Sequence, residues 1–159
     1  MAETGFSGLE ELDSFVKDML SLANEELPRE SKTFLKKNAN QLTTATRNKA
    51  KELGIMEKTG NYYKGFKSGK VYTYHGQLSC RAYNSSPHAH LLEYGHKIKN
   101  EKGGKYLTAK YGKDKNGKDI ESDFVPGFHP FLRAYEDFMS KYYNNCESFV
   151  DDMINKHGL

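Results

Sequence analysis

Three of the six histidines lie within nine residues of one another, in the stretch SSPHAHLLEYGH, and a glutamate stands among them. Imidazole nitrogens and carboxylates are common ligands of zinc and common groups of acid–base catalysis. His90, Glu93 and His96 follow an H-x-x-E-x-x-H spacing, which on a helix spreads the side chains over about 120°. Side chains spread that far do not converge on one ion, and the i, i+4 pair of a helical zinc site is absent. We therefore expect no metal and no cofactor at these residues or at His88.

Signatures of other enzymes are also missing from the sequence. It contains no glycine-rich phosphate loop, no G-x-S-x-G turn and no protein-kinase motifs. Cys80 lies in an alternating segment typical of a strand, where a cysteine is more often part of the core than a nucleophile. Arg81 and His75 would suit a nuclease, but no spacing places them together. We predict a protein without catalytic residues and keep a small nuclease as the least favoured alternative.

The N-terminal third is predicted to be helical. Apolar residues recur at three- and four-residue steps between residues 9 and 23, which predicts a helix with a buried stripe. The stripe consists of Leu9, Leu12, Phe15, Val16, Met19, Leu20 and Ala23. Pro28 is typical of a first helical turn and Gly54 of a helix end, so a second helix is expected between them. Its apolar face consists of Phe34, Leu35, Ala39, Leu42, Ala45 and Leu53.

The chain then changes to the period of two that is typical of strands. KVYTYH and QLSCRAYN alternate, and KSGK and HGQ are turn signals before and between them. This pattern predicts three antiparallel strands, and KYLTAKY would add another. A short helix is expected from Ala89 to Tyr94, ended by Gly95. The fold class is therefore α+β, with one antiparallel sheet of about three to five strands packed by N-terminal and C-terminal helices.

Residues from about 97 to 123 are rich in lysine, glycine and asparagine and show no buried period. A structureless loop of that length in a compact domain is usually functional or disordered. Its candidate interface residues are Lys97, Lys99, Lys102, Lys105, Tyr106, Tyr111 and Lys113. A final helix is expected from about Pro130 to Lys156. Its helical spacing places four residues in the core: Phe131, Leu132, Tyr135 and Phe138.

Charge is unevenly distributed along the chain. Residues 1–30 carry eight acidic and two basic residues, and residues 119–159 carry eight acidic and three basic residues. Between them, residues 31–118 carry five acidic and nineteen basic residues. This split predicts contact with phosphate or with an acidic patch on another copy. Because basic and aromatic residues together also bind single-stranded nucleic acid, a nucleic-acid-binding module is the main alternative function, and a passing contact with DNA stays open.

Membrane and secretion signals are not found in the sequence. It has no run of about 20 apolar residues that could cross a membrane and no signal-peptide pattern. Cys80 and Cys146 are isolated and match no redox or zinc spacing. The sequence therefore predicts a protein of the reducing cytosol without a membrane partner.

Three segments together resemble one protein family. EKTGNYYKGF follows the long helix, NSSPHAHLLEYGH joins a strand end to a Glu-Tyr-Gly motif, and VPGFHPFLRAYED opens the final helix with Pro-Phe-Leu-Arg. In this order and spacing they are similar to the tail-completion or head–tail joining proteins, minor neck components of long-tailed, siphovirus-type bacteriophages. The chain departs from the family at His96, where a small residue is usual, and at residues 134 and 135, where Pro-Ala is usual.

The resemblance implies one tail-completion domain over residues 1–159, in a structural virion protein without catalysis, cofactor or metal. It implies a ring of identical subunits, a hexamer in this family, between the head connector or stopper and the tail tube or tail terminator, assembled in the host cytoplasm.

Structural or assembly roles are implied for Glu93, Tyr94, Gly95, Pro130, Phe131, Leu132 and Arg133. Gly95 is expected to permit a sharp exit from the short helix, and Tyr94 is expected to anchor in the core. Glu93 is expected to pair with Arg133. On this interpretation the histidine stretch fixes the base of the loop.

Overall fold

The computed structural model describes residues 7–56, 60–97, 109–113, 119–122 and 124–157. The helices are α1 (Ser7–Ser21), α2 (Leu27–Glu52), α3 (Asn61–Lys64), α4 (Ala89–Tyr94) and α5 (Pro130–Lys156), with a π-helical turn at Leu22–Glu26. The strands are β1 (Phe66–Ser68), β2 (Tyr72–Tyr74), β3 (Gln77–Ser79), β4 (Ala82–Asn84), β5 (His96–Lys97), β6 (Ala109–Lys113), β7 (Asp119–Ser122) and β8 (Phe124–Val125). The predicted α+β class is confirmed, as are the bounds of α4 and α5. Within the described ranges, none of the helices is long and apolar enough to span a membrane.

Helical structure continues from α1 into α2 without an intervening loop. Leu27 donates its backbone N–H to the carbonyl of Leu22, which is the wide i→i+5 spacing of a π turn. Pro28 follows directly, and in a regular helix its ring would crowd the carbonyl four residues earlier. The second helix begins at Leu27, with Pro28 in its first turn as expected. The widened turn accommodates the proline within one helical run, so α2 continues α1 without a break.

The predicted end of α2 at Gly54 is confirmed. Gly54 has φ 71°, and its N–H donates to the carbonyl of Lys51 at 3.0 Å. The N–H of Ile55 donates to the carbonyl of Ala50 at 3.2 Å. This pair of bonds is the Schellman motif, which satisfies the last carbonyls of a helix and redirects the chain.

The apolar stripe of α1 is not buried, contrary to the prediction. Exposed fractions of 41 to 57% are found at Leu12, Phe15, Val16, Met19 and Leu20. Ala23 is exposed as well, and the side chain of Leu9 lies outside the described residues. Helical periodicity identifies the face of a helix that packs against something, but it does not say that the partner lies in the same chain.

The chain divides into two compact units. The first holds the described residues up to Asn40, Ser68–Arg81 and the described residues from Met139 onward. The second holds Gln41–Lys67 together with the described residues from Ala82 to Phe138. A single domain over residues 1–159 stays a prediction.

In the first unit, aromatic and amide contacts join α2 to the C-terminal part of α5. Phe34 stacks on Phe149 with ring centroids 4.7 Å apart and lies 6.1 Å from Tyr142. Asn38 is only 4% exposed. Its amide donates to the carbonyl of Phe34 at 3.0 Å and accepts from Asn145 at 2.7 Å. A polar residue can be buried here because its hydrogen bonds are made inside the protein.

The first unit also contains the hairpin of β2 and β3. The strands are antiparallel, with Tyr74 opposite Gln77. His75 and Gly76 form the two-residue turn with φ 47° and 78°, the combination required by a type I′ turn. The predicted turn in HGQ is therefore confirmed.

The predicted turn in KSGK, residues 67–70, is wrong. β1 pairs with β4 rather than with β2, and the N–H of Gly69 donates to the carbonyl of Arg81 at 2.8 Å. Lys36 on α2 supplies the physical reason. Its ammonium donates to the carbonyls of Ser68 and Gly69 at 3.1 and 2.7 Å, so these groups are satisfied while the chain stays extended.

The strands form pairs rather than the predicted sheet of three to five. In the described part of the chain, β1 pairs with β4, β2 with β3, β5 with β8 and β6 with β7. Isolated two-stranded pairs are marginal in water. Packing and side-chain contacts at their ends must therefore support them, as Lys36 does beside β1.

The second unit has a core built on the end of α2. Its most buried members are Ala50, Ile55, Tyr62 and Phe66, at most 6% exposed. Packed against them and half-buried are Leu53, Tyr63, Ala89, Leu92 and Phe131. Phe66 meets Tyr62 edge-on with ring centroids 5.0 Å apart, a favoured geometry for aromatic pairs.

The predicted core face of α5 is only partly buried. Ala134 and Phe138 are 1 and 7% exposed, but Leu132 and Tyr135 are both 51% exposed. Pro130, Ala134 and Phe138 are four residues apart and share one helical face. Because that face is the buried one, Leu132 and Tyr135 lie to its side, and their assignment to the core is wrong.

Candidate functional site

The two flanks of residues 98–123 are held side by side. β5 and β8 are antiparallel, with His96 opposite Val125 and Lys97 opposite Phe124. Residues 97 and 124, which flank the segment 98–123, are therefore paired neighbours. We call the structure around this point the clasp; it consists of α4, Gly95, β5, β8, Gly127 and the first turn of α5.

Glu93 is the buried charged residue of the clasp, 8% exposed. Its carboxylate oxygens accept the backbone N–H groups of Phe131 and Leu132 at 3.0 and 3.1 Å. These N–H groups lie in the first turn of α5, where a helix has no carbonyl partner for them and carries a partial positive charge. The helix N-terminus, 38 residues further along the chain, therefore compensates the buried carboxylate.

The start of α5 suits this contact. Pro130 is its first residue, is buried and has no N–H that needs an acceptor. The N–H of Arg133 donates to the carbonyl of His129 at 3.0 Å, while the Arg133 side chain is exposed. The predicted Glu93–Arg133 ion pair is wrong, because the helix N-terminus takes the place of the guanidinium.

Two glycines let the clasp close. Gly95 has φ 81° and ψ 179°, a conformation essentially restricted to glycine. A Cβ at Gly95 would overlap the carbonyl oxygen of Val125, and a Cβ at Gly127 would overlap the carbonyl oxygen of Glu93. The backbones approach this closely because neither residue has a side chain. Gly127 was not among the residues predicted from the sequence, although the Pro-Gly pair that contains it is a turn signal.

The clasp rests on the apolar core of the second unit. Leu92 and Phe131 pack half-buried against that core, and the ring of Phe131 lies 5.7 Å from the ring of Phe66. The N–H of Phe128 also donates to the carbonyl of Leu92 at 2.7 Å. Apolar packing and backbone hydrogen bonds thus fix α4 and the start of α5 against each other.

Other residues expected in this region point into solvent. Tyr94 is 73% exposed and Leu132 is 51% exposed, so the expectation that Tyr94 anchors in the core is wrong. Adjacent residues of a helix are about 100° apart around its axis. Because Glu93 faces α5, its neighbour Tyr94 turns away. The roles of these residues in assembly stay predictions.

The expectation of a long loop over residues 97–123 is wrong in part, and the additional strand expected in KYLTAKY, residues 105–111, overlaps β6 at residues 109–111. Lys97 lies on β5, and Tyr111 and Lys113 lie on β6, which pairs with β7. The register of that pair shifts between Lys110 and Lys113, which is typical of a bulge. Such a shift interrupts the period-two pattern by which strands are predicted. The other candidates lie outside the described residues: Lys99, Lys102, Lys105 and Tyr106.

The histidines of this region lie on different elements and differ in exposure. His88 precedes α4, His90 is exposed on it, and His96 is half-buried on β5, while Glu93 faces the start of α5. Within the part of the chain that the structure describes, no group of three His, Cys, Asp or Glu could hold a metal ion. What the stretch supplies chemically is a buried hydrogen-bond acceptor followed by a tight glycine turn.

A protein-family model matches the chain from α1 to the clasp. The family is described as "Bacteriophage HK97-gp10, putative tail-component", and the match covers residues 13–95, just over half of the 159 residues. The match therefore ends at Gly95, in the first half of the clasp. No curated protein and no solved structure shows significant similarity to the chain.

Proposed function

The chain belongs to the HK97-gp10-like family of bacteriophage tail components, and on this premise we propose that it joins the head connector to the tail tube in the virion. In this proposal identical subunits form a ring at the head–tail junction. The ring contacts the head connector or stopper on one side and the tail tube or tail terminator on the other. Family membership supports a structural, non-enzymatic role in a phage tail, and the joining position and the ring are the proposed part.

The family match carries the proposal, and the geometry of the clasp supports a structural role. Both carboxylate oxygens of Glu93 are occupied by backbone N–H groups at 3.0 and 3.1 Å. A carboxylate held in this way caps a helix. The most buried acidic group of the described residues therefore positions chain segments.

The clasp determines where residues 98–123 begin and end. That segment carries seven lysines, and segments held between fixed ends on a packed scaffold are frequent sites of binding. We assign to it the contacts with the head connector or the tail tube. The pairing of β5 with β8 would then serve to present the segment at a defined place on each subunit.

A phage that lacks this gene tests the function. We expect lysates with DNA-filled heads and separate tails that do not join, and infectivity should return when the wild-type gene is supplied in trans. Normal infectious particles from the deletion would refute the assignment. A deletion that stops DNA replication before particles assemble would instead support the nucleic-acid-binding alternative.

Complementation with two variants connects the function to the clasp. Glu93→Ala removes the acceptor for two N–H groups of α5. Glu147→Ala instead removes an exposed carboxylate from α5 itself. We expect Glu147→Ala to restore joining and Glu93→Ala to restore it poorly. Equal rescue by both variants at equal protein levels would separate the clasp from the joining function.

A further inference from the structure

The apolar face of α1 is uncovered in the single chain. Five of its side chains are 41 to 57% exposed: Leu12, Phe15, Val16, Met19 and Leu20. Contiguous exposed apolar surface of this kind marks sites of association. The segment that carries this face is acidic in sequence, since residues 7–26 carry six acidic residues and one basic residue. A partner for α1 should therefore offer apolar surface together with positive charge.

The hairpin of β2 and β3 has this composition. Tyr72 and Tyr74 lie on one face of the hairpin and are 43 and 61% exposed. Lys70 and Arg81 flank its base and are exposed, and residues 58–92 contain no acidic residue. A tyrosine combines apolar area with a polar tip, which suits a surface that is exposed before association and buried after it.

The hairpin is also well supported at its base. The ammonium of Lys36 donates to the Ser68 hydroxyl at 2.6 Å and to the Gly69 carbonyl at 2.7 Å. The type I′ turn at the tip sets the twist and register of the two strands. The tyrosine face is therefore presented by a structure with defined geometry, which lowers the entropic cost of binding.

We propose that the apolar face of α1 in one copy packs against the tyrosine face of the β2–β3 hairpin in the next copy. The occupant is a second copy of this chain because each copy carries both surfaces, and the two are complementary in charge. A contact between different surfaces of identical chains is heterologous, and it closes into a ring when the rotation between copies allows it. This inference rests on the ring of the proposed function and adds to it the two surfaces.

Two other occupants fit less well. Nucleic acid could stack on the tyrosines and meet the lysines of the hairpin, but the acidic, apolar face of α1 would then stay uncovered. The exposed Val150 and Ile154 of α5 are apolar, but Glu147 and Asp151 beside them repeat the negative charge of α1. Like charges at an interface are unfavourable.

Cysteine pairs test the contact. In a chain with Cys80 and Cys146 replaced by serine, Phe15→Cys and Tyr74→Cys should form a disulfide between neighbouring copies under mild oxidation. A heterologous contact links each copy to the next, so a non-reducing gel should show products larger than a dimer. The single variants should give no product larger than a dimer. Val150→Cys with Tyr74→Cys is the matched control, because Val150 is also 51% exposed, and it should give no such series.

Charge reversal provides a second readout. Lys70→Glu in the cysteine-pair background should lower the yield of linked products several-fold, and Asp13→Lys in the same chain should restore it. The experiment uses purified full-length chain at high concentration and, in parallel, purified phage particles. No series of linked chains in either sample, or linkage only to another virion protein, would overturn the contact.

The two samples separate this inference from the proposed function. Linked copies in the purified chain, with no protein in the particles, would reject the joining function and keep the contact. Protein present in particles at the head–tail junction, without linked copies, would keep the function and reject the contact.

Discussion

The clasp buries a charged side chain, whereas α1 exposes apolar side chains. In the clasp, the charged Glu93 is 8% exposed and bonded through both oxygens, and Phe131 packs on the core of the second unit. In α1, apolar residues such as Phe15 and Leu20 are 50 and 55% exposed. The Glu93 carboxylate finds its hydrogen-bond donors within one chain, whereas α1 offers apolar surface that one chain leaves uncovered. The first region should therefore govern the stability of the subunit, and the second should govern association.

Two phenylalanines give the strongest test of this difference. Phe66 is 3% exposed in the core beneath the clasp, and Phe15 is 50% exposed on α1. Phe66→Ala should lower the free energy of unfolding by about 3–5 kcal/mol, because it removes a buried ring and leaves a cavity. Phe15→Ala should change it by less than about 0.5 kcal/mol, as is usual for exposed positions.

Denaturant unfolding of the two variants at low protein concentration measures both values. Low concentration matters because association would stabilise the wild-type chain and hide a monomer effect. If Phe15→Ala lowers the free energy of unfolding as much as Phe66→Ala does, then α1 is buried in the single subunit. The proposed difference between α1 and the clasp would then be rejected.

The same contrast shows what the sequence can predict. The spacing of Leu12, Phe15 and Met19 correctly predicts a helix, because periodicity reflects which side chains share a face. It cannot predict burial, because the covering partner is not encoded in the spacing of the helix itself. Conversely, Thr46 is completely buried in α2 although nothing in its type indicated it. Its hydroxyl donates to the carbonyl of Leu42 at 2.8 Å, so the polar group is satisfied within its own helix.

The candidate site was predictable in position but not in contacts. The Glu-Tyr-Gly motif was expected to fix the base of the loop, with Glu93 pairing with Arg133 of the final helix, and β5 and β8 pair next to this motif. The partner of Glu93 was predicted wrongly because charge type favours Arg133, whereas the bonded groups are backbone N–H donors of Phe131 and Leu132. Every residue except proline carries such a donor, so residue types do not reveal which one is used.

Replacing Glu93 tests how much its buried carboxylate contributes to the stability of the subunit. Glu93→Ala should lower the free energy of unfolding by about 1.5–3 kcal/mol, because two hydrogen bonds to a charged group are lost and two part-buried N–H groups are left without that acceptor. Glu93→Gln keeps one oxygen acceptor and should cost less. Thermal unfolding of both variants, beside the exposed control Glu147→Ala, measures the effect. If Glu93→Ala lowers stability no more than that control does, then the hydrogen bonds of Glu93 to α5 do not stabilise the clasp.

The smallest expected effect concerns an exposed contact near the end of α5. Glu26, in the π-helical turn, lies 2.6 Å from the ammonium of Lys156 and 3.3 Å from the ring of His157. The hydrogen bond from Lys156 is the main cause that lowers the pKa of Glu26, and His157 adds to it. A carboxyl whose pKa is lowered by folding stabilises the folded state while it is ionised. Salt should weaken this contribution, because half of the Lys156 side chain is exposed.

The pH dependence of Glu26→Gln therefore has a defined sign. At neutral pH the wild type should melt at a slightly higher temperature than the variant. The difference should close as the pH falls below 4.5, the ordinary pKa of a glutamate, because the wild-type carboxylate then takes up a proton and becomes as neutral as the amide. Glu25→Gln, at the exposed neighbouring position, should show no such closing difference. A constant offset between wild type and Glu26→Gln from neutral to acid pH would mean that packing of the side chain, and not its charge, fastens the π turn to the end of α5.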